Sequence, residues 1–113
     1  MTILHLAAKT GNLRAAKIIL ESYRNSVSFH TLDLFLNACD DGGWTAIVWA
    51  AELGHTDIVR YLINCGANAN ISDTENFTVL HWAAFSNNTE TIVPLLRSDC
   101  DFNVQNINGD TPL

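Results

Sequence analysis

No apolar run in this chain approaches the ~18–20 residues a helix needs to cross a bilayer, so no membrane partner is expected. The opening stretch, MTILHLAAKTGN, lacks the basic and long apolar regions of a secretion signal, and an intracellular location is expected. Cysteine is scarce. Cys39, Cys65 and Cys100 are an odd number with no CxxC spacing, which speaks against a disulfide framework or a zinc site and for reduced, partly buried thiols. Basic residues are few, six Lys plus Arg against twelve Asp plus Glu, for a formal net charge of −6. Nucleic-acid binders need a basic footprint, so direct nucleic-acid binding is not expected, whereas a Lys/Arg-rich protein partner suits the field of the chain. There is no glycine-rich phosphate loop and no nucleophile–base motif. Neither catalysis, nor a cofactor, nor a metal is expected in this segment.

What the sequence has is a repeat. A threonine followed by apolar residues opens Thr45-Ala46-Ile47-Val48, Thr78-Val79-Leu80-His81 and Thr111-Pro112-Leu113, at intervals of 33 and 33 residues. Thr2-Ile3-Leu4-His5 is the same box, 43 residues before Thr45. Each full box continues into an alanine pair, Ala7-Ala8, Ala50-Ala51 or Ala83-Ala84. A turn follows, Thr10-Gly11-Asn12, Leu53-Gly54-His55 or Ser86-Asn87-Asn88, and then an apolar helical pattern.

These boxes resemble the ankyrin repeat, whose signature is T-P-L-H-x-A on a 33-residue period. The resemblance implies an all-α solenoid in which each unit is a β-turn followed by two antiparallel helices. The first helices are expected at about residues 3–9, 46–52 and 79–85, and the second at about 13–21, 57–64 and 90–97. Thr56 and Thr89 are expected as N-caps, and Gly66 as a helix end passing through positive φ. The whole chain, 1–113, reads as one array: residues 1–39 a first repeat with an insertion, 40–72 a second, 73–105 a third and 106–113 the start of a fourth. Ten residues beyond the period lie between Ser22 and Asp40, expected as a longer loop or an extended second helix. Pro94 falls inside a helical pattern, where it removes a backbone bond and should bend the helix. Because the chain begins inside one box and stops inside another, it is expected to be part of a longer protein whose end faces need polar capping repeats.

Most candidate chemical groups have ordinary structural explanations. His5 and His81 hold the histidine of the box, which bonds backbone between neighbouring turns; His55 belongs to the Gly-His turn, and His30 lies in the insertion without an evident partner. Asp40-Asp41 and Asp99/Asp101 read as turn residues. The tryptophans are different. Trp49 and Trp82 occupy the same slot of successive boxes, where Leu6 stands in the first, and equal slots stack roughly 10 Å apart. Trp44 precedes Trp49 in the turn, and Glu52 follows it by one helical turn on the same side. Two readings stay open. The indoles fill inter-repeat space, or they wall a pocket for a cation through cation–π attraction, with Glu52 accepting the remaining N–H of a mono- or dimethylammonium.

DDGGWT, VWAAE, GHTDIVRYLI, LHWAAFS and CDFNVQNINGDTPL together resemble the ankyrin domain of the euchromatic histone-lysine methyltransferases. The resemblance covers about residues 40–113. It implies a module that binds the histone H3 tail mono- or dimethylated at lysine nine, in the nucleus, as part of a protein carrying a separate SET methyltransferase domain. The family's cage positions fall on Trp44, Trp49, Glu52 and Trp82, and an acidic position near the tail falls on Asp110. The alternative is an ankyrin scaffold that binds other proteins without methyl-lysine recognition.

Overall fold

The computed structural model describes residues 1–86, 89–97 and 105–112. The expectations for Asn87, Asn88, Asp99, Cys100, Asp101 and Leu113 lie outside the described residues. Among the described residues, the chain forms seven helices and no strand: α1 (Ile3–Thr10), α2 (Leu13–Ser26), α3 (Phe29–Leu36), α4 (Ala46–Glu52), α5 (Thr56–Asn64), α6 (Val79–Phe85) and α7 (Thr89–Arg97).

The short helices α1, α4 and α6 each start after a threonine in extended conformation, Thr2, Thr45 or Thr78. Thr2 and Thr78 form reciprocal caps in which a histidine stands where glutamate usually does. The His5 Nδ1 accepts from the Thr2 amide at 3.1 Å, and the His81 Nδ1 from the Thr78 amide at 3.0 Å. In the middle box Val48 replaces the histidine, and the buried Thr45 hydroxyl has no partner. The alanines then matter for packing. Ala7, Ala8, Ala50, Ala51 and Ala83 are buried, and their small side chains let α1, α4 and α6 stack closely. The longer α2, α5 and α7 form the second layer. Their inward positions recur one turn apart, Ala16 and Leu20, Ile58 and Leu62, Thr91 and Leu95, all buried. Burying a leucine-sized side chain stabilises by roughly 1.5–3 kcal/mol, so these pairs hold the layers together. The product is elongated, 41 × 24 × 23 Å.

The insertion is both longer helix and added helix. α2 continues to Ser26, and α3 follows, its first turn capped by the Ser28 hydroxyl accepting from the Thr31 amide at 3.3 Å. Tyr23 of α2 stacks on Phe35 of α3 at 3.9 Å, while Leu32 and Leu36 are buried beneath. The expected N-caps are corrected. Thr56 and Thr89 are the first residues of α5 and α7, and His55 precedes α5 without a side-chain cap. The Thr56 hydroxyl instead lies 2.9 Å from that of Thr91, tying α5 to α7. Gly66 has φ +94°, as expected after α5. α7 continues through Pro94.

Candidate binding site

The turns ahead of the short helices position the site, and they repeat at the 33-residue interval. In each, one side-chain oxygen collects two backbone amides. The Asp40 Oδ1 accepts from Gly42 and Trp44, both at 3.0 Å; the Asp73 Oδ1 accepts from Glu75 and Phe77, both at 2.9 Å; the Asn106 Oδ1 accepts from Asn108 at 2.8 Å and Asp110 at 3.1 Å. This is the local bonding for which Asp and Asn are favoured in turns. The turn needs positive φ at its fourth position, supplied by Gly43 at +82°, Asn76 at +62° and Gly109 at +82°.

Histidines then lock the first and third of these turns to the unit before. The His5 Nε2 donates to the Trp44 carbonyl at 2.9 Å, and the His81 Nε2 to the Asp110 carbonyl at 3.1 Å. A carbonyl only accepts, so Nε2 carries the proton and Nδ1 is free to cap the helix. The expected structural role of both histidines is thus met. The His55 ring lies against Gly11, and His30 is exposed.

Trp44, Phe77 and Asp110 share the last position of the turn. Trp44 is the centre of an aromatic cluster. Its ring lies 4.6 Å from Trp49 at 62° and 4.7 Å from Trp82 at 54°. Trp49 and Trp82 thus both pack obliquely on Trp44, an aromatic box with Trp44 as its base. Phe77 lies 5.1 Å from Trp82, and Phe85 closes on Trp82 edge-to-face at 5.8 Å. The second oxygens of the turn aspartates reach the indoles. The Trp49 Nε1 donates to Asp40 Oδ2 at 2.8 Å, and the Trp44 Nε1 to Asp73 Oδ2 at 3.1 Å. The Trp82 Nε1 is buried without a partner. Beside the cluster opens a cleft of about 240 Å³ lined by Trp44, Phe77, Trp82, Asp73 and Glu75.

The charged form of Asp40 is favoured here. Burial pushes the Asp40 carboxyl up, but hydrogen bonds from the Trp49 indole and the Trp44 and Gly42 amides outweigh it, so its pKa is lowered from 3.8. The Lys9 ammonium already sits 5.2 Å over the Trp49 ring, so a ring of this cluster holds a cation within the range of cation–π attraction.

The structure brings Trp44, Trp49 and Trp82 together. Trp44 and Trp82 line the cleft and Trp49 does not; Glu52 ends α4, half-buried, three residues after Trp49, Asp110 is exposed in its own turn, and neither of these carboxylates lines the cleft. Sequence reasoning missed Phe77 and the indole contacts of Asp40 and Asp73. The signal was available in the register: Asp40, Asp73 and Asn106 stand 33 residues apart, as do Trp44, Phe77 and Asp110. Among the described residues, no His/Cys/Asp/Glu group is arranged to hold a metal, and no helix is long and apolar enough to cross a membrane.

Residues 4–106 match the family model described as Ankyrin repeats (3 copies). Neurogenic locus notch homolog protein 1 of Xenopus tropicalis is 31% identical over 138 residues, covering 99% of this chain and 5% of that protein. Palmitoyltransferase AKR1 of Saccharomyces cerevisiae is 33% identical over 100 residues, covering 88% of this chain and 12% of that enzyme. Palmitoyltransferase ZDHHC17 of Danio rerio is 38% identical over 71 residues, covering 61% of the chain. The chain thus spans only 5% to 12% of the length of these relatives.

Proposed function

The chain belongs to the ankyrin-repeat family, whose repeats are scaffolds that bind other proteins, and on that premise we propose that it reads a mono- or dimethylated lysine on a basic partner segment of the histone H3 tail kind. One observation carries the reading: three indoles from two successive units meet, Trp49 and Trp82 lying 4.6 and 4.7 Å from Trp44, beside an acid-rimmed cleft that Trp44 and Trp82 line. Aromatic faces attract a cation from which water is excluded, by about 2 kcal/mol when desolvated. In the proposed site Trp44, Trp49 and Trp82 wall the methylammonium. Glu52 accepts its remaining N–H, and Asp110 faces the rest of the basic segment. The choice of histone H3 lysine nine, a nuclear setting and a parent methyltransferase rest on the likeness of DDGGWT, VWAAE and LHWAAF to the euchromatic methyltransferases.

A second reading is an ankyrin scaffold that binds an unmethylated protein surface. It is favoured by the indole hydrogen bonds to Asp40 and Asp73, which give Trp49 and Trp44 a packing role. The Notch-type and palmitoyltransferase relatives also fit it. Titration with one H3-tail peptide in four forms, unmodified, mono-, di- and trimethylated, separates the two. The methyl-lysine reading expects mono- and dimethyl forms to bind more than tenfold tighter than the unmodified one. Equal affinities across the four leave the scaffold reading.

A further inference from the structure

Asp40 and Asp73 are equivalent residues of successive turns, and Trp49 and Trp82 are equivalent residues of successive helices, each nine positions after its aspartate. Equivalence predicts equivalent bonds. In the first pair it holds, since the Trp49 indole donates to Asp40 Oδ2 at 2.8 Å. In the second it fails. Asp73 Oδ2 is taken by Trp44 at 3.1 Å, and the Trp82 Nε1 is left buried without an acceptor. Trp44, Trp82 and Asp73 line one cleft, so the three groups share a common space.

From this broken symmetry we infer that Asp73 is a positioning residue shared by two indoles, holding Trp44 in this structure and passing to Trp82 when Trp44 turns aside. A buried N–H without a partner is costly, so the Trp82 Nε1 is poised to donate to Asp73 Oδ2 once that oxygen is released. The exchange conserves the number of indole hydrogen bonds. It gives the base of the aromatic box freedom to move while fixing one of its sides. Asp73 Oδ1 stays with the Glu75 and Phe77 amides throughout, so the turn itself does not change. The consequence for ligand binding rests on the methyl-lysine reading; the exchange between indoles does not.

The turn suggests its own control, because Asn106 does in the next unit what Asp73 Oδ1 does here, while its Nδ2 is buried without a partner. Asp73→Asn therefore preserves the turn and presents a donor to the Trp44 indole. The indole N–H signals of the whole chain, assigned by NMR through single Trp→Phe variants, read the result. In Asp73→Asn the Trp44 N–H is expected to shift upfield and lose protection from exchange, with the helical spectrum of the folded chain kept. In Trp44→Phe, which removes the donor and keeps a ring, the Trp82 N–H is expected to shift downfield and gain protection. A Trp82 signal unmoved in folded Trp44→Phe overturns the exchange, whatever Asp73→Asn does. Binding of a dimethyl-lysine peptide is expected to weaken about tenfold in Asp73→Asn, the loss of one charge-assisted bond. If the unaltered chain does not bind that peptide, the methyl-lysine reading falls, and the indole signals still decide the exchange.

Discussion

The first unit and the second present the same slots to different fates. Ile3, Leu6 and Ile19 of the first correspond to Ala46, Trp49 and Leu62 of the second, 43 residues on. Ile3 is 60% exposed and Leu6 53%, whereas Ala46 is 1% exposed and Leu62 fully buried. The first unit's slots border an apolar groove of about 400 Å³ with Ile18 and Ala15; those of the second lie beneath α1 and α2. Burial here follows from the unit stacked in front, not from the polarity of the residue. The chemistry differs too. The groove is lined mainly by aliphatic side chains, with Thr10 and Asn12 as its polar residues and, among the described residues, no aromatic ring or charged group. The aromatic cluster adds ring faces and carboxylates, the groups that attract a cation in the proposed reading.

The largest test of that contrast is in the core. Leu62→Ala should destabilise by roughly 2–5 kcal/mol, seen as a lowered denaturation midpoint, whereas Leu6→Ala should cost within about 0.5 kcal/mol. Equal costs would mean that the two faces are not the different environments the packing makes them. Next comes the aromatic base. Trp44→Ala should weaken binding of a dimethyl-lysine peptide more than tenfold, about 2 kcal/mol, with the helical spectrum kept, while Leu6→Ala leaves the titration unchanged. A folded Trp44→Ala protein that binds normally returns the cluster to packing alone. Glu52→Gln should have a smaller effect. It removes charge and keeps shape, so dimethyl-lysine binding should weaken by about 1.5 kcal/mol, with less preference over the trimethyl form, which has no N–H to donate. Unchanged affinities for both forms would take Glu52 out of the site.

The smallest effect is acidic. The Asp40 pKa is lowered in the folded chain from its ordinary 3.8. A lowered folded value means stability that is present above the unfolded pKa and lost as pH falls through the folded one. Denaturation midpoints of the unaltered chain should therefore decline more steeply below about pH 4 than those of Asp40→Asn, which has no proton to take up there. Parallel declines would show that the Asp40 bonds to Trp49, Trp44 and Gly42 do not favour its charged form over its protonated one.

Much of this was legible in the sequence because repeats turn local signals into spatial ones. The 33-residue spacing of Thr45, Thr78 and Thr111 put Trp49 and Trp82 in one slot, and the helices begin and end within a few residues of the expected positions. The caps were misplaced because threonine ahead of an apolar run reads as an N-cap, while the Thr56 hydroxyl lies beside that of Thr91 on the adjacent helix. The insertion was half legible. Leu32 and Leu36 stand one turn apart, but whether they form a separate helix depended on finding the flank of α2 to cover.

The sequence by itself determined the all-α repeat, its register, the structural histidines and the gathering of three tryptophans on neighbouring units. Those follow from periodicity, which is local and repeats without knowledge of the neighbours. Only the tertiary structure decided which acceptor each indole takes. Asp40 and Asp73 are identical in type and register, yet one binds the tryptophan of its own unit and the other binds Trp44 from the unit before. A hydrogen bond is settled by distance and angle at a single oxygen, and two donors competing for that oxygen are distinguished by packing alone.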